Sequence, residues 1–326
     1  MRLLVTGGAG FIGSQLLRHL VTSYPSYTIV CVDSLTYAAD FTLIADLEGY
    51  ANYSFVKLDI TELSSVKDLF ESHIFTHVIH LAAESHVDNS IKDPLAFAKT
   101  NVLGTLNLLE GTRVYFEDKT CLFYHISTDE VFGSLENTGS FSENTAYAPR
   151  SPYSASKASS DHFVRAYGET YNLPYIISNC SNNYGPGQHN EKLIPTVISS
   201  VLNSEPIPVY GTGANIRDWL YVEDHVRAID TILHQGKTGE TYCIGGDAEL
   251  SNLELVHLLV DEIDRQLANA PGTSKSLISF VEDRKGHDFK YAINHTKLTK
   301  ELGWSPTTSL EKGLKTTVSW YLNRLK

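Results

Sequence analysis

The sequence RLLVTGGAGFIG, residues 2–13, decides the fold of this chain. A short apolar run stops there at three glycines, Gly8, Gly10 and Gly13, in the spacing Gly-x-Gly-x-x-Gly. Leucine and valine then recur at helical spacing over residues 16–21, and a second apolar run over residues 27–33 ends in an acidic residue. Strand, glycine loop, helix and strand in this order predict a βαβ unit.

The glycine loop has the chemistry of a dinucleotide-binding site. Glycines permit a tight turn and a close approach of the backbone to a pyrophosphate, and the helix N-terminus supplies N–H donors and a partial positive charge. Asp33, which ends the second strand twenty residues after Gly13, would accept a hydrogen bond from a ribose 2′-hydroxyl. This predicts NAD in preference to NADP, because a 2′-phosphate would meet a like charge. The alternative is that Asp33 merely caps the next turn.

Apolar runs continue to alternate with helical patterns as far as residue 125. The runs at residues 54–60, 77–83 and 121–126 are typical of strands, and residues 101–109 have the pattern of a long helix. This alternation predicts an α/β fold with a Rossmann-like, doubly wound parallel sheet.

The ends of two of these strands add candidate cofactor contacts. Asp59 and Ile60 would border an adenine, and the small residues Ala82 and Ala83 would let the backbone approach the cofactor. The alternative for Asp59 is an N-cap of the following helix.

The composition of the sequence changes after a last strand at residues 173–180. The next segment, NNYGPGQHNEK at residues 182–192, is rich in turn-forming residues. We therefore predict an NAD-binding domain of residues 1–180, rejoined by parts of residues 215–246, and a smaller α/β substrate-binding region of residues 181–326.

Composition and charge exclude several classes of partner. The chain has 326 residues, with 26 basic and 38 acidic side chains and a net charge of −12. Without a basic surplus we expect no binding to nucleic acid or to an acidic membrane. No apolar stretch approaches the roughly 18 residues of a transmembrane helix. Four widely spaced cysteines without metal-ligand spacing predict buried thiols and no metal site, and with no signal peptide we expect a reducing cytoplasm.

A candidate reaction centre lies between residues 127 and 157. Thr128-Asp129-Glu130 stands where a buried strand gives way to a loop, and Ser151 followed by proline predicts a helix start. That start places Tyr153 and Lys157 on one face of the helix. A neighbouring ammonium can lower the pKa of a phenol, which would make Tyr153 a base near neutral pH. Each pattern also occurs by chance, so the prediction depends on their combination with the glycine loop.

With TGGAGFIG at residues 6–13 and Tyr153-x-x-x-Lys157, the chain resembles the extended short-chain dehydrogenase/reductase family and, within it, the nucleotide-sugar 4,6-dehydratases. The triplet Thr128-Asp129-Glu130 discriminates most, because related epimerases lack adjacent Asp and Glu there. The resembling segments span essentially the whole chain: LTYA (35–38), AESHVD (83–88), STDEV (127–131), NCSNNYGP (179–186), EKLIP (191–195), IRDW (216–219) and RKGHD (284–288).

The resemblance implies an NAD-dependent hydro-lyase that acts on a nucleotide-diphosphate glucose. Tyr153, with Lys157, would take the O4 proton while C4 passes hydride to NAD⁺, and Thr128 would hydrogen-bond the C4 oxygen. Glu130 would abstract the C5 proton while protonated Asp129 gives a proton to the departing 6-hydroxyl, before hydride returns to C6. Adjacent carboxyls suit this work because like-charge repulsion raises one pKa. Which carboxyl is acid and which is base is implied by the resemblance alone.

The resemblance also implies binding residues. Arg217 and Arg284 would contact the diphosphate, and Asn182 and Lys192 would lie near the phosphates and sugar. The base and ribose would be surrounded by Tyr210, Asn252 and His287. The predicted cofactor contacts are Gly7, Gly10, Phe11, Ile12, Gly13, Asp33, Leu35, Thr36, Asp59, Ile60, Leu81, Ala82, Ala83, Tyr153 and Lys157. The predicted substrate contacts are Ser85, His86, Thr128, Asn182, Lys192, Pro208, Tyr210, Arg217, Asn252, Arg284 and His287. A homodimer through the helices at residues 95–109 and 152–167 is expected, as in relatives.

Three departures from the family pattern flank the substrate side. They are GQHN at residues 187–190, Asn89 where Arg is usual, and Phe289-Lys290 where two Arg are usual. They leave open whether the substrate base is thymine or uracil. A 4-epimerase would use the same Tyr, Lys and NAD without a carboxyl pair, and an NAD-binding regulator would tend to lack the Tyr-Lys pair; both are competing interpretations.

Overall fold

The computed structural model describes residues 1–115 and 121–324, which fold around a seven-stranded sheet. The strands are β1 (Arg2–Thr6), β2 (Thr28–Asp33), β3 (Tyr53–Lys57), β4 (His77–His80), β5 (Leu122–Thr128), β6 (Tyr175–Cys180), β7 (Asn182–Tyr184), β8 (Ile207–Tyr210), β9 (Ile216–Tyr221), β10 (Thr241–Ile244), β11 (Glu249–Ser251) and β12 (Ile278–Val281). The α-helices are α1 (Phe11–Ser23), α2 (Leu63–Ser72), α3 (Val87–Lys92), α4 (Pro94–Phe97), α5 (Thr105–Tyr115), α6 (Pro152–Tyr171), α7 (Leu193–Asn203), α8 (Val222–Gln235), α9 (Asn252–Gln266), α10 (Thr296–Leu302) and α11 (Leu310–Arg324).

All neighbouring strands of the large sheet are parallel, in the order β10-β6-β5-β4-β1-β2-β3. The chain first builds outward from β1 to β3 and then crosses back to β4, so the strand order reverses between β1 and β4. An open α/β sheet offers a crevice at such a point, outside the carboxyl ends of the strands. The predicted Rossmann-like, doubly wound parallel sheet is confirmed.

Helices cover both faces of this sheet, because its strands are apolar on both sides. On one face, α1 and α8 pack through side chains such as Leu16 and Ile229. On the other face, α2, α5 and α6 pack through side chains such as Phe70, Leu109 and Val164. The two buried layers hold the strands rigidly, and with them the loops at their carboxyl ends.

The second part of the chain builds a separate core. β7, β9 and β11 form a three-stranded sheet, β8 and β12 form a two-stranded one, and α7, α9 and α11 pack together through buried residues that include Val197, Leu259 and Val318. β10 leaves this region and pairs with β6 at the edge of the large sheet. The proposed boundary at residue 180 stays a prediction.

Two strands end earlier than their apolar runs predicted. β3 ends at Lys57 and β4 at His80, because the chain bends soon afterwards. Beyond β3, the Asp59 carboxylate accepts a hydrogen bond from the amide of Thr61 at 2.9 Å. The residue at the N-cap of α2 is Glu62, so the alternative role of Asp59 as the helix cap is wrong.

The helix predicted over residues 101–109 is not a regular α-helix throughout. Residues 98–104 are π-helical and lead into α5. Such wider turns occur often at functional sites. Here the segment carries Asn101, whose side-chain amide bonds the backbone of Glu84 and the hydroxyl of Ser156 and so joins three parts of the chain.

All four cysteines are buried and unpaired. Burial raises the pKa of Cys31 and of Cys180 to about 12, so these thiols are protonated near neutral pH. Within residues 1–115 and 121–324, no helix is long and apolar enough to span a bilayer. The same residues contain no group of three or more His, Cys, Asp or Glu side chains placed to hold a metal ion.

Adjacent leucines of α9 test the second core. Leu259 is completely buried and Leu258 is 47% exposed. We expect Leu259→Ala to lower the free energy of unfolding by about 2–5 kcal/mol, because a cavity is left as well as apolar area lost. Leu258→Ala should change it by less than about 0.5 kcal/mol. Urea unfolding of both variants checks this, and equal losses would contradict the packing described for α9.

Candidate active site

A cleft lies at the carboxyl ends of the central strands, where the strand order reverses. The glycine loop forms one side of it. The other side contains Thr128, Glu130, Tyr153 and Lys157, and residues 180–192 contribute to its edge. The glycine loop and four of the five predicted catalytic residues therefore share one cleft, whereas Asp129 is 1% exposed and does not line it.

The glycine loop leaves no space for side chains. A Cβ atom at Gly13 would lie 2.1 Å from the carbonyl oxygen of Gly7. Gly7 itself has a φ of +74°, and a Cβ there would lie 2.6 Å from the amide nitrogen of Ala82. Backbone therefore lines this end of the cleft, next to the N-terminus of α1, as the pyrophosphate site requires.

Asp33 is fixed by the same loop. Its carboxylate accepts hydrogen bonds from the amide nitrogens of Ala9, at 3.0 Å, and Leu35, at 2.8 Å. Burial raises the pKa of Asp33, and these two donors oppose that rise. The carboxylate lines the cleft at the end of β2, where a ribose hydroxyl would lie.

The structure brings nearly all predicted cofactor contacts together. Leu35 is the exception: its side chain packs against the core and its amide holds Asp33. The predicted contacts that line the cleft are Gly7, Gly10, Phe11, Ile12, Gly13, Asp33, Thr36, Asp59, Ile60, Leu81, Ala82, Ala83, Tyr153 and Lys157.

The carboxyl pair begins where β5 ends. The Thr128 hydroxyl contacts Asp129 Oδ1 at 3.2 Å and the amide of Glu130 at 3.3 Å. Burial, and then the neighbouring Glu130, raises the pKa of Asp129 well above its usual range. Burial also raises the pKa of Glu130, but Arg217, Lys192 and Arg284 oppose this rise. The two carboxyls therefore differ, and the surroundings favour the protonated form of Asp129 more than that of Glu130.

Tyr153 and Lys157 are placed by a capped helix. Ser151 accepts from the amide of Ser154, whose hydroxyl accepts from the amide of Ser151, and this capping box begins α6. Lys157 Nζ donates to the carbonyl oxygen of Ile126 at 2.8 Å, and burial lowers the pKa of Lys157. The start of the helix is thereby tied to β5 beside the carboxyl pair.

The lowered phenol pKa that the sequence predicted is absent from this structure. Burial, and then the charge of Glu130, raises the pKa of Tyr153 well above its ordinary value. The reason is that the phenol is 8% exposed and faces an acidic neighbour, whereas the ammonium of Lys157 is turned to the carbonyl of Ile126.

The predicted substrate residues fall into two groups. Ser85, Thr128, Asn182 and Lys192 line the cleft, and Lys192 Nζ donates to the carbonyl oxygen of Ser85 at 2.8 Å. His86 stands beside them as the N-cap of α3. The residues that lie outside the lining of the cleft, in the second part of the chain, are Pro208, Tyr210, Arg217, Asn252, Arg284 and His287.

Part of this second group clusters around an aromatic ring. The Arg284 guanidinium lies 5.2 Å from the centre of the Tyr210 ring, and His287 meets that ring edge-on with centres 6.2 Å apart. Arg217 lies 4.2 Å above the ring of Tyr291 and donates to backbone carbonyls. Pro208 is on β8 with Tyr210, whereas Asn252 begins α9.

Asp88 is a residue of this site that the sequence did not indicate. Its Oδ1 lies 2.6 Å from Arg284 Nε and its Oδ2 accepts from Arg284 at 2.9 Å and from the Tyr210 hydroxyl at 3.3 Å. Asp88 belongs to α3, so this ion pair connects the first part of the chain to the second. The sequence marks Asp88 only as part of the family-like segment AESHVD, and that segment does not indicate Arg284 as its partner.

Two of the departures from the family pattern contact each other through Tyr37. Asn89 Nδ2 donates to the Tyr37 hydroxyl at 3.0 Å, and the ring of His189 meets that of Tyr37 edge-on. Lys290 is buried instead against Glu249, at 2.5 Å. The first two therefore shape the edge of the cleft, and Lys290 supports the second region.

Comparison with known proteins shows which protein family the chain resembles over most of its length. The family described as GDP-mannose 4,6 dehydratase matches residues 4–317. The chain is similar to the dTDP-glucose 4,6-dehydratase of Salmonella typhimurium, with 49% identity over 99% of this chain and 93% of that protein. Its structure is similar to DesIV, the dTDP-glucose 4,6-dehydratase of Streptomyces venezuelae, solved with NAD bound (TM-score 0.91, 42% identity, 99% and 97% of the two chains). The UDP-glucose 4-epimerase of Thermotoga maritima is also similar (TM-score 0.88, 31% identity, all of both chains).

The raised pKa of Asp129 predicts how its replacement acts on stability. A folded state that favours the protonated carboxyl gains stability below the ordinary Asp pKa of about 3.9, and that gain is lost as the pH rises toward the raised value. Asparagine does not titrate. We therefore expect the melting temperature of Asp129→Asn, relative to the unmodified protein, to increase from about pH 4 to pH 7.

Asp264 provides the matched control for this measurement. It is also buried, but hydrogen bonds from Ser274 and Asn269 overcome the effect of burial and lower its pKa. Asp264→Asn should therefore lose melting temperature over the same rise in pH. A constant or falling difference for Asp129→Asn would mean that Asp129 is ionised in the folded protein.

Proposed function

The chain belongs to the GDP-mannose 4,6-dehydratase family, and we propose that it acts as an NAD-dependent dTDP-glucose 4,6-dehydratase. The reaction oxidises C4, eliminates water across C5 and C6 and reduces C6, giving dTDP-4-keto-6-deoxy-glucose. The observation that carries the proposal is the unequal pair Asp129 and Glu130 at the end of β5, of which Glu130 lines the cleft with Tyr153 and Lys157. A 4-epimerase has no need of that pair.

The cleft fits NAD. At Gly7 and Gly13 the glycine loop has no room for a Cβ atom, so its backbone can approach a pyrophosphate. Asp33 lines the cleft where the ribose would bind, and its carboxylate would repel a 2′-phosphate. When bound, the nicotinamide of NAD would supply the hydride acceptor for C4 and the hydride donor for C6. Ile60 and Ala82 line the cleft, where Ile60 would border the adenine and Ala82 would let the backbone approach the cofactor.

Tyr153 is proposed as the base that takes the O4 proton. Thr128 would donate to the C4 oxygen and so orient it toward the phenol. The charge of Lys157 would favour the phenolate, which must form although burial raises the pKa of Tyr153. The cleft therefore binds the reacting hydroxyl between Thr128 and Tyr153.

The carboxyl pair is proposed to perform the elimination. Asp129, whose pKa is raised well above its usual range, would protonate the departing 6-hydroxyl. Glu130, facing three cations that stabilise its anion, would remove the C5 proton made acidic by the new 4-ketone. The different surroundings of the two carboxyls support this division of roles.

The nucleotide would extend from the cleft toward the second region. Asn182 and Lys192 line the cleft beside the proposed sugar site, and Arg217 and Arg284 would bind the diphosphate. The ring of Tyr210 would contact the base. Pro208, Asn252 and His287 would complete the site around the base and ribose. UDP-glucose is the second candidate substrate, because Asn89 and His189 change the edge of the cleft.

A homodimer through α5 and α6 is also part of the proposal. Leu103, Phe163 and Tyr171 are 45%, 38% and 44% exposed on these helices and the segment before them. Exposed apolar groups of this kind are typical of a helix face that pairs with a second copy.

The free, buried cysteines are consistent with a reducing cytoplasm.

The proposal is tested by incubating the purified protein with dTDP-glucose and, separately, with UDP-glucose. We expect dTDP-glucose to lose the mass of one water without accumulation of NADH, at a higher rate than UDP-glucose. Faster loss from UDP-glucose would move the assignment to that substrate. Conversion to the galactose epimer at constant mass would identify an epimerase, and no conversion of either would reject the proposed reaction.

Glu130→Gln tests the proposed base separately. We expect it to retain NAD, measured after denaturation, while water loss from the substrate falls by about 10²–10⁴-fold, the usual contribution of a general base. Glu136→Gln removes the same charge from an exposed position six residues on and should leave the rate unchanged. Full activity of Glu130→Gln would remove Glu130 from the mechanism.

A further inference from the structure

A buried carboxylate that the proposed mechanism does not use lies one helical turn beyond Lys157. Asp161 has no solvent exposure, and its Oδ2 accepts hydrogen bonds from the Ser127 hydroxyl at 2.9 Å, the Tyr147 hydroxyl at 2.7 Å and Asn179 Nδ2 at 3.3 Å. Burial raises the pKa of Asp161, but the neighbouring His125, the charge of Lys157 and the Tyr147 hydroxyl together lower it below its usual range. Asp161 is therefore an anion inside the fold.

Asp161 and Lys157 hold the same piece of backbone. Lys157 Nζ donates to the carbonyl of Ile126, and Asp161 accepts from the side chain of the next residue, Ser127. Both side chains also project from successive turns of α6. Ammonium and carboxylate thus contact two successive residues of the strand end that leads into Thr128.

The histidines beside Lys157 are neutral. His125 on β5 is completely buried, with Nε2 3.2 Å from Asp161 Oδ1, and burial lowers its pKa to about 4. His80 on β4 lies between the hydroxyls of Thr6 and Thr105, and burial lowers its pKa as well. Neither histidine adds a formal charge near neutral pH.

The remaining titratable groups around Lys157 do not balance its charge. Burial raises the pKa of Cys180 on β6 to about 12 and that of Tyr153 well above its ordinary value, so both are neutral. Lys99 in the π-helical segment lies at the surface beside Glu62. Glu130 lines the same cleft, but Arg217, Lys192 and Arg284 stabilise its charge. Among the described groups, Asp161 is the one whose charge most favours the protonated form of Lys157.

We propose that Asp161 is a positioning residue that acts as the counter-ion of the Lys157 ammonium and thereby sets the pH range in which Tyr153 works as a base. An ammonium without a counter-ion loses its proton when it is removed from water. Because Asp161 lies in the same buried layer, its charge keeps the proton on Lys157. The inference rests on the proposed function for the roles of Tyr153 and Lys157.

Asp161→Asn tests this through the pH dependence of kcat. The amide keeps the shape of the carboxyl and removes its charge, so the alkaline limb of the profile should move to lower pH by about one unit or more. Ser127→Ala and Tyr147→Phe each remove one hydrogen bond and keep the charge. They should change the rate but leave the alkaline limb where it is in the unmodified protein. The same result for Asp161→Asn would mean that Asp161 has a purely structural role.

A second measurement needs no substrate. We expect Asp161→Asn to lower the melting temperature less in a Lys157→Met background than in the unmodified protein, because no buried ammonium is then left without a partner. Additive losses together with an unmoved alkaline limb would overturn the proposal.

The two measurements separate this inference from the proposed function. If the protein converts neither sugar nucleotide but shows the coupling, the ion pair is supported and the proposed reaction is rejected. Normal conversion with no coupling retains the reaction and rejects Asp161 as the counter-ion. If Asp161→Asn fails to fold, the double variant decides: recovery of folding supports the proposal, and continued misfolding overturns it.

Discussion

The close approach of the first turn of α1 to the loop after β1 is the contact on which the whole site depends. Gly13 lies where a Cβ would be 2.1 Å from the Gly7 carbonyl oxygen, so the helix sits directly on the loop. This contact places the N-terminus of α1 at the crevice between β1 and β4, and it puts Ala9 where its amide can hold Asp33. Because every neighbouring strand is parallel, the ends of β2, β4 and β5 then reach the same edge.

At that edge the protein keeps charged groups in a dry environment by giving each a specific neighbour. Glu130 faces three cations, Lys157 is held to a backbone carbonyl near Asp161, and burial beside Glu130 favours the protonated form of Asp129. Each arrangement lowers the free energy of one protonation state and leaves the other disfavoured. The cleft thus combines an acid and a base that are adjacent in sequence but different in their surroundings.

The sequence predicts what short-range patterns determine. The βαβ unit, the pairing of Tyr153 with Lys157 on one helix face and the strand end before Thr128 all follow from residues less than about 35 positions apart, and the structure places them as expected. The pairing of Asp88 with Arg284 joins positions 196 residues apart, and no local pattern encodes it. The sequence pattern also does not predict the raised pKa of Tyr153, since that pKa depends on how completely the phenol is enclosed.

The ion pair between Asp88 and Arg284 changes how substrate capture is described. With Arg284 assigned to the diphosphate, an arriving phosphate meets a guanidinium that already has an anionic partner on its Nε edge. Binding is then a partial exchange of one anion for another, and its free energy is a difference between two ion pairs. When the phosphate binds, it displaces fewer mobile counter-ions than the number of cationic side chains around the cleft suggests, because Arg284 is already paired with Asp88. The affinity for the nucleotide should accordingly depend only weakly on ionic strength.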